Sequence, residues 1–104
     1  MSNVLEIVTF KLANGVNETD FVKTHDAFQA YLDSMPGLLY RSLAKQADSD
    51  TYVDVVYWAS LADAERVQQA FATEPRCQAL MTVIDADSVV MTLNHIIAQT
   101  PCNG

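Results

Sequence analysis

The chain has few of the residues that build covalent or metal-bound frameworks: its 104 residues include two cysteines, two histidines and three glycines. Cys77 and Cys102 fit neither a disulfide framework nor a metal-ligand spacing, so both are predicted to be free thiols. No Gly-rich phosphate loop, nucleophile elbow or metal motif occurs. The sequence therefore predicts neither a metal site nor a bound cofactor.

Positive charge is also scarce, with six Lys and Arg against 13 Asp and Glu, for a net charge of −7. An acidic protein is not attracted to a phosphate backbone or to an anionic membrane surface, so neither nucleic acid nor membrane is expected as a partner. The N-terminal stretch shows no basic segment and no apolar run of signal-peptide or transmembrane length. We expect a cytoplasmic protein.

Apolar residues are abundant: half the chain is hydrophobic and only 18% is charged. That is apolar for a small soluble monomer, so part of the apolar set is expected in an interface, most simply that of a homodimer. The length suits one domain, predicted over residues 1–98, followed by a loose tail over residues 99–104.

The most strand-like stretch is residues 51–60, which is rich in β-branched and aromatic side chains. At period two it has two largely apolar faces, one with Val53, Val55 and Tyr57 and one with Asp54 and Trp58. Both faces need burial. The chain's own helices can cover one face, and a second copy can cover the other.

Alternation, helix caps and turn residues define the other elements. Asn17 or Thr19 is predicted to cap the first helix, Ser60 the second, and Pro75 to open a short third one. The predicted order is strand 4–12, helix 17–34, strand 38–46, strand 51–60, helix 60–73, short helix 75–81 and strand 89–97.

This order predicts an α+β fold of the ferredoxin-like βαββαβ type, with a four-stranded antiparallel sheet and two helices on one face. Two copies are expected to pack sheet against sheet as a dimeric α/β barrel. Each copy would keep a crevice between its own sheet and helices.

The chain resembles the dimeric α/β-barrel superfamily, and within it the antibiotic-biosynthesis-monooxygenase-like proteins. The resemblance rests on the strand end at 10–15, Phe21 early in the first helix, Pro36-Gly37 before the second strand, and 57–60 opening the second helix. These are packing and turn motifs. The resemblance implies cofactor-independent oxygenases of aromatic polyketides, haem-degrading enzymes, small-molecule isomerases and dehydratases, or proteins of no known activity.

The haem-degrading branch places an asparagine on the first strand and a tryptophan and a ligating histidine on and after the second helix. In this chain Val8 stands at the asparagine position, and residues 67–81 contain neither tryptophan nor histidine. We therefore predict no specific haem binding and no haem degradation.

His25 and Asp54 are the candidate catalytic residues. His25 is the one group of near-neutral pKa on the apolar stripe of the first helix, and Asp54 would be a buried carboxylate if its strand face meets the helices. The alternatives are a core histidine bonded to backbone and an acid paired with Arg41 on the neighbouring strand. These alternatives stay open at the level of sequence.

Six further residues form the predicted substrate-binding set. Trp58 could form an aromatic wall or belong to the core. Tyr40 and Tyr52 could donate hydrogen bonds to a ligand or pack in the dimer barrel, and His95 is a second candidate base. Phe28 and Met91 complete the set.

Three classes of function fit these observations. The first is a cofactor-free monooxygenase or isomerase acting on an aromatic or quinone-like small molecule. The second is a binding protein that uses the same pocket without turnover. The third is a dimeric structural module whose pocket is filled by its own side chains. An open cavity that touches His25 favours the first two classes, and a filled one favours the third.

Overall fold

A computed structural model of the chain describes residues 3–100. Its elements are β1 (Val4–Phe10), α1 (Glu18–Asp33), β2 (Leu38–Lys45), β3 (Tyr52–Trp58), α2 (Leu61–Ala70), α3 (Pro75–Thr82), a short 3₁₀ turn (Ala86–Ser88) and β4 (Val90–His95). The predicted order of strands and helices is confirmed, with α3 as a third helix.

The four strands form one sheet in the order β2-β3-β1-β4, and every neighbouring pair is antiparallel. The two central strands, β3 and β1, are those that carry the most apolar residues on both faces. The predicted ferredoxin-like architecture is thereby confirmed.

The two faces of the sheet differ in burial, and β3 shows it most clearly. Tyr52, Asp54, Val56 and Trp58 are buried, while the residues between them are half-buried. Strand residues alternate between faces, so the buried set lies beneath the helices and forms the inner face. The open question of which face of β3 lines the crevice is settled: it is the face of Asp54 and Trp58.

Helix ends follow the predicted capping residues. Asn17, rather than Thr19, caps α1: its Oδ1 accepts a hydrogen bond from the Asp20 amide at 2.9 Å. Ser60 caps α2, and Pro75 is the first residue of α3. Because α2 ends at Ala70, it is a few residues shorter than its sequence pattern predicts.

A tight junction joins the start of β2 to the start of α2. Gly37 has a φ of +86°, and a Cβ built on it would lie 2.1 Å from Oδ2 of Asp63. Oδ2 of Asp63 in turn accepts a hydrogen bond from the Ser60 hydroxyl at 2.8 Å. Only glycine satisfies both the backbone angle and the close approach, which ties the turn after α1 to the cap of α2.

The core lies between the inner face of the sheet and the helices. The predicted stripe of α1 supplies Phe21, Phe28 and Leu32, all buried, and α3 supplies Cys77 and Leu80. Cys77 is fully buried, and burial raises the pKa of its thiol to about 11. It is therefore an inert core residue, as its helical position suggested.

The first and last strands, β1 and β4, are shorter than predicted. β1 ends at Phe10 because the Lys11 amide donates to Ser88 Oγ at 2.8 Å, and Leu12 forms an isolated bridge with Ile84 instead. Among residues 3–100, no helix is long and apolar enough to cross a membrane. Most of the predicted loose tail, together with Cys102, falls outside the described residues.

Candidate functional site

A cavity of about 340 Å³ lies between the inner face of the sheet and the three helices. Its walls are mainly aliphatic and aromatic side chains from every strand and helix of the fold. The polar residues in its lining are Glu6, His25, Arg41, Asp54 and Gln68. An apolar chamber with a few polar groups is typical of a small-molecule site.

The cavity opens beside the edge strand β4. Met81, Val89 and Met91 line it and are also among the exposed large apolar residues, so they form its rim. Gln68 of α2 donates through Nε2 to the sulfur of Met91 at 3.4 Å across this rim. Flexible methionine side chains at an entrance can adjust to ligands of different shape.

Arg41 and Asp54 form a two-pronged ion pair across β2 and β3. Arg41 Nε donates to Asp54 Oδ1 at 3.0 Å and Nη2 donates to Oδ2 at 2.7 Å. The two side chains are only 4% and 13% exposed. Of the two alternatives for Asp54, the pairing with Arg41 is the one found, and it satisfies the charge of a buried carboxylate.

His25 is joined to this pair through the guanidinium. Its Nε2 lies 2.6 Å from Nη1 of Arg41, which also donates to the side-chain oxygen of Gln29. A guanidinium can only donate, so Nε2 accepts and the neutral ring carries its proton on Nδ1, which lies 3.6 Å from Asp26 Oδ1. His25 thus makes a side-chain hydrogen bond with Arg41 rather than the backbone bond of the core alternative.

The electrostatics of this cluster keep His25 neutral. Burial is the main cause that lowers the pKa of His25 below its ordinary value of 6.5, and the positive charge of Arg41 lowers it further, against smaller opposing effects of Asp54 and Asp26. Nε2, the nitrogen of His25 that could accept a proton, already accepts a hydrogen bond from Arg41. The imidazole ring is therefore held in place by the ion pair of Arg41 and Asp54.

Glu6 and Gln68 are the polar residues of the cavity that were not among the candidates from the sequence, and Glu6 is the ionisable one. Glu6 lies on the inner face of β1, and Trp58 Nε1 donates to its Oε1 at 2.9 Å. Burial raises the pKa of Glu6 above its usual 4.5, with a further increase from Asp54, and the Trp58 hydrogen bond and Arg41 oppose this. The alternation of β1 could have predicted this position, because Glu6 lies on the same strand face as Val8 and Phe10, which point to the core.

The structure divides the predicted substrate-binding set into two groups. Trp58, Phe28 and Met91 line the cavity. Tyr40 lies on the outer face of the sheet, 58% exposed, with its ring 5.9 Å from that of Tyr57.

The other two members also lie outside the cavity. Tyr52 is buried between Phe10 and Phe21, and its hydroxyl donates to Glu18 at 2.7 Å. Burial raises the pKa of Tyr52 to about 12. His95 is exposed at the end of the edge strand β4. The positions of Tyr52 and His95 depend on where the strands end and how they pair, and alternation along the sequence predicts neither.

The lining also bears on the predictions about metals and haem. No three His, Cys, Asp or Glu residues between 3 and 100 are grouped so as to hold a metal ion. Val8, which stands at the asparagine position of the haem-degrading proteins, lines the cavity. The absence of haem binding stays a prediction.

The protein thus belongs to the class of small α+β proteins that have an antiparallel sheet and a largely apolar chamber between the sheet and the helices. No family model matches the chain, and no curated protein matches it by sequence. Solved structures do match. SnoaB from Streptomyces nogalater, a cofactor-independent oxygenase, is similar over 100% of both chains, with a TM-score of 0.76 and 17% sequence identity.

Two further structures extend the comparison. A candidate antibiotic biosynthesis monooxygenase from Caulobacter crescentus CB15 is similar over 93% of this chain and 92% of its own, with a TM-score of 0.75 and 15% identity. A dimeric protein of unknown function and ferredoxin-like fold from Bacteroides fragilis NCTC 9343 covers 90% and 96%, with a TM-score of 0.63 and 15% identity. The resemblance to antibiotic-biosynthesis-monooxygenase-like proteins is thereby confirmed at the level of the fold.

Proposed function

We propose that this protein binds a planar, largely apolar small molecule in the chamber beneath its helices and oxidises it with dioxygen without a cofactor. The observation that carries the proposal is the open cavity of about 340 Å³, apolar along its walls, with polar groups at defined points. Aromatic side chains such as Trp58 and Phe28 offer flat surfaces for a ring system. The cavity touches His25, which favours a ligand-binding protein over a self-filled structural module.

A substrate for such a reaction must supply all the electrons itself. A methylene group activated by flanking aromatic rings meets this requirement: CH₂ + O₂ gives C=O + H₂O. Both C–H bonds break, one oxygen atom forms the carbonyl and the other leaves as water, so no external reductant enters. The similarity of fold to SnoaB, described as a cofactor-independent oxygenase, supports this reaction class. An isomerase would use the same pocket and proton transfers without dioxygen.

The first test is binding. Trp58 is the single tryptophan of the chain and lines the cavity, so its fluorescence reports directly on occupancy. We expect saturable quenching by anthrone or a naphthoquinone. Val8→Phe should weaken this binding because the larger ring fills the chamber. Val22→Phe makes the same change at an exposed position of α1 outside the cavity lining and should leave binding intact.

The second test is turnover, followed as oxygen consumption with anthrone and identification of the ketone product. Catalysis predicts a rate that rises with the enzyme concentration and falls in Val8→Phe but not in Val22→Phe. Binding without any such rate would favour a non-catalytic ligand-binding protein. Absence of binding across aromatic and quinone-like ligands would favour the structural module.

We further propose that the protein is a homodimer through the outer face of the sheet. This face carries half-buried Leu5, Ile7 and Val55 and the more exposed Tyr40 and Val90, and all the helices pack on the opposite face. An apolar sheet face of this kind is costly to leave in water. The similar Bacteroides fragilis protein is described as dimeric, which supports the same assembly here.

A further inference from the structure

The polar groups of the cavity differ in how much of their hydrogen-bonding capacity is already used. Arg41 donates to Asp54, His25 and Gln29, and Asp54 accepts on both oxygens. Glu6, in contrast, accepts one hydrogen bond within residues 3–100, from Trp58 onto Oε1. Its second oxygen is thus the charged acceptor in the chamber that a ligand can use without breaking an existing bond.

The position of Glu6 is well defined. The residue lies on the central strand β1, beside Trp58 and Val8, so it is held on a rigid element and not on a loop. The Trp58 bond fixes one oxygen of the carboxyl group, and both residues line the cavity. A ligand ring beside Trp58 would therefore have its substituents near Glu6.

We propose that Glu6 is the proton-accepting site of the chamber and selects neutral planar ligands that carry a phenol or enol hydroxyl. The hydroxyl donates to Glu6 Oε2, and in a reaction its O–H bond breaks. The proton passes to the carboxylate, giving a neutral Glu6 and a ligand oxyanion whose electron pair enters the ring. This assignment rests on the proposed ligand-binding function and names the group that recognises the ligand.

The charges around Glu6 explain the preference for a neutral donor. Asp54 of β3 and Arg41 of β2 form a closed ion pair, and His25 of α1 is neutral, while α2, α3 and β4 contribute no titratable side chain to the lining. An anionic ligand would meet Glu6 with no unpaired cation to balance it. Burial raises the pKa of Glu6, which brings it closer to the range in which a carboxylate exchanges protons with a weak acid.

Calorimetric titration with α-naphthol, its methyl ether and α-naphthoate tests the proposal. Wild type should bind α-naphthol about tenfold or more tightly than the ether, because a hydrogen bond to a charged acceptor is lost in the ether. The preference should decrease as the pH falls and Glu6 becomes protonated. α-Naphthoate should bind more weakly than either.

Glu6→Gln is the informative variant because glutamine keeps the shape and can still accept from Trp58. It should bind the ether as wild type does, lose most of the preference for the naphthol, and show no pH dependence of that preference. A merely structural role would not move this pH profile. Glu65→Gln removes one negative charge from an exposed site on α2 and should behave as wild type.

The outcomes separate the two proposals. Equal binding of naphthol and ether by wild type, or an unchanged preference in Glu6→Gln, would overturn the role of Glu6 while leaving the chamber as a ligand site. Failure of all three compounds and of the quinone-like ligands to bind would overturn both.

Discussion

At the scale of the residue, the buried ionic groups form one connected system and one isolated group. Arg41 of β2 joins Asp54 of β3 to His25 and Gln29 of α1, and Glu6 stands apart with Trp58. A buried ion pair with all its hydrogen bonds made contributes little to folding stability, but the removal of one partner is strongly destabilising. The arrangement therefore favours a fixed geometry for Arg41 and its partners, and it leaves Glu6 on the neighbouring strand β1 as the proposed proton acceptor.

Removal of Arg41 should be strongly destabilising. Arg41→Met leaves Asp54 buried without its partner, and we expect a loss of about 3–5 kcal/mol in the free energy of unfolding. Arg41→Met combined with Asp54→Leu removes both charges and should recover most of that loss. Urea unfolding of wild type, Arg41→Met, Asp54→Leu and the double variant measures this. Losses that simply add in the double variant would show that the pair is not coupled.

His25 should remain neutral below the pH at which a free histidine protonates. The pKa of His25 in the folded protein lies below the value of 6.5 in the unfolded chain. Between these two pKa values the folded protein binds fewer protons than the unfolded one, so the free energy of unfolding increases as the pH rises through this range. NMR titration of the imidazole signals measures the pKa, and His95→Asn assigns the second ring. A His25 signal that titrates at or above 6.5 would contradict the buried arrangement with Arg41.

At the scale of the element, the junction between β2 and α2 shows how local sequence and packing combine. Pro36-Gly37 is a recognisable helix stop, and Ser60 a recognisable cap. That they meet depends on the fold, which brings Gly37 against Asp63. The Ala59 amide completes the junction by donating to the Gly37 carbonyl at 2.8 Å.

Two glycines allow the contact to be separated from the backbone angle. Gly15 and Gly37 have φ values of +84° and +86°, but a Cβ on Gly15 meets nothing within 4 Å. Gly15→Ala should cost about 1 kcal/mol of stability from the backbone alone. Gly37→Ala should cost about 1 kcal/mol more because it displaces Asp63 and weakens the α2 cap. Equal thermal destabilisation of the two variants would mean that the contact with Asp63 has no effect.

At the scale of the whole molecule, one sheet serves two purposes. Its inner face closes the chamber, and its outer face presents apolar residues that the helices do not cover. A substitution on the outer face should therefore alter assembly and leave the chamber intact.

Val55→Asp tests this separation. Val55 is half-buried on the outer face of β3, so the isolated fold should tolerate the change, whereas a dimer interface would bury an unpaired charge. Light scattering should show a dimer for wild type and a monomer for Val55→Asp. Val22→Asp makes the same change at an exposed position of α1 and should remain dimeric. A Val55→Asp protein of unchanged dimeric mass would refute the sheet-to-sheet assembly.

Local sequence patterns alone predicted the order of elements, the cap at Ser60, the helix start at Pro75, the stripe of α1 and the resemblance in fold. These depend on short-range periodicity and turn chemistry, which are written locally in the chain. The sequence also placed His25, Asp54 and Trp58 on faces that could meet.

Only the tertiary structure decided which partners these residues have. Register brings Arg41 beside Asp54 and places Tyr40 on the far side of the sheet, and a one-residue shift would exchange those roles. Glu6 became a candidate because Trp58, 52 positions away, bonds to it inside a cavity. Contacts between distant segments depend on packing in three dimensions, which alternation along one strand does not contain.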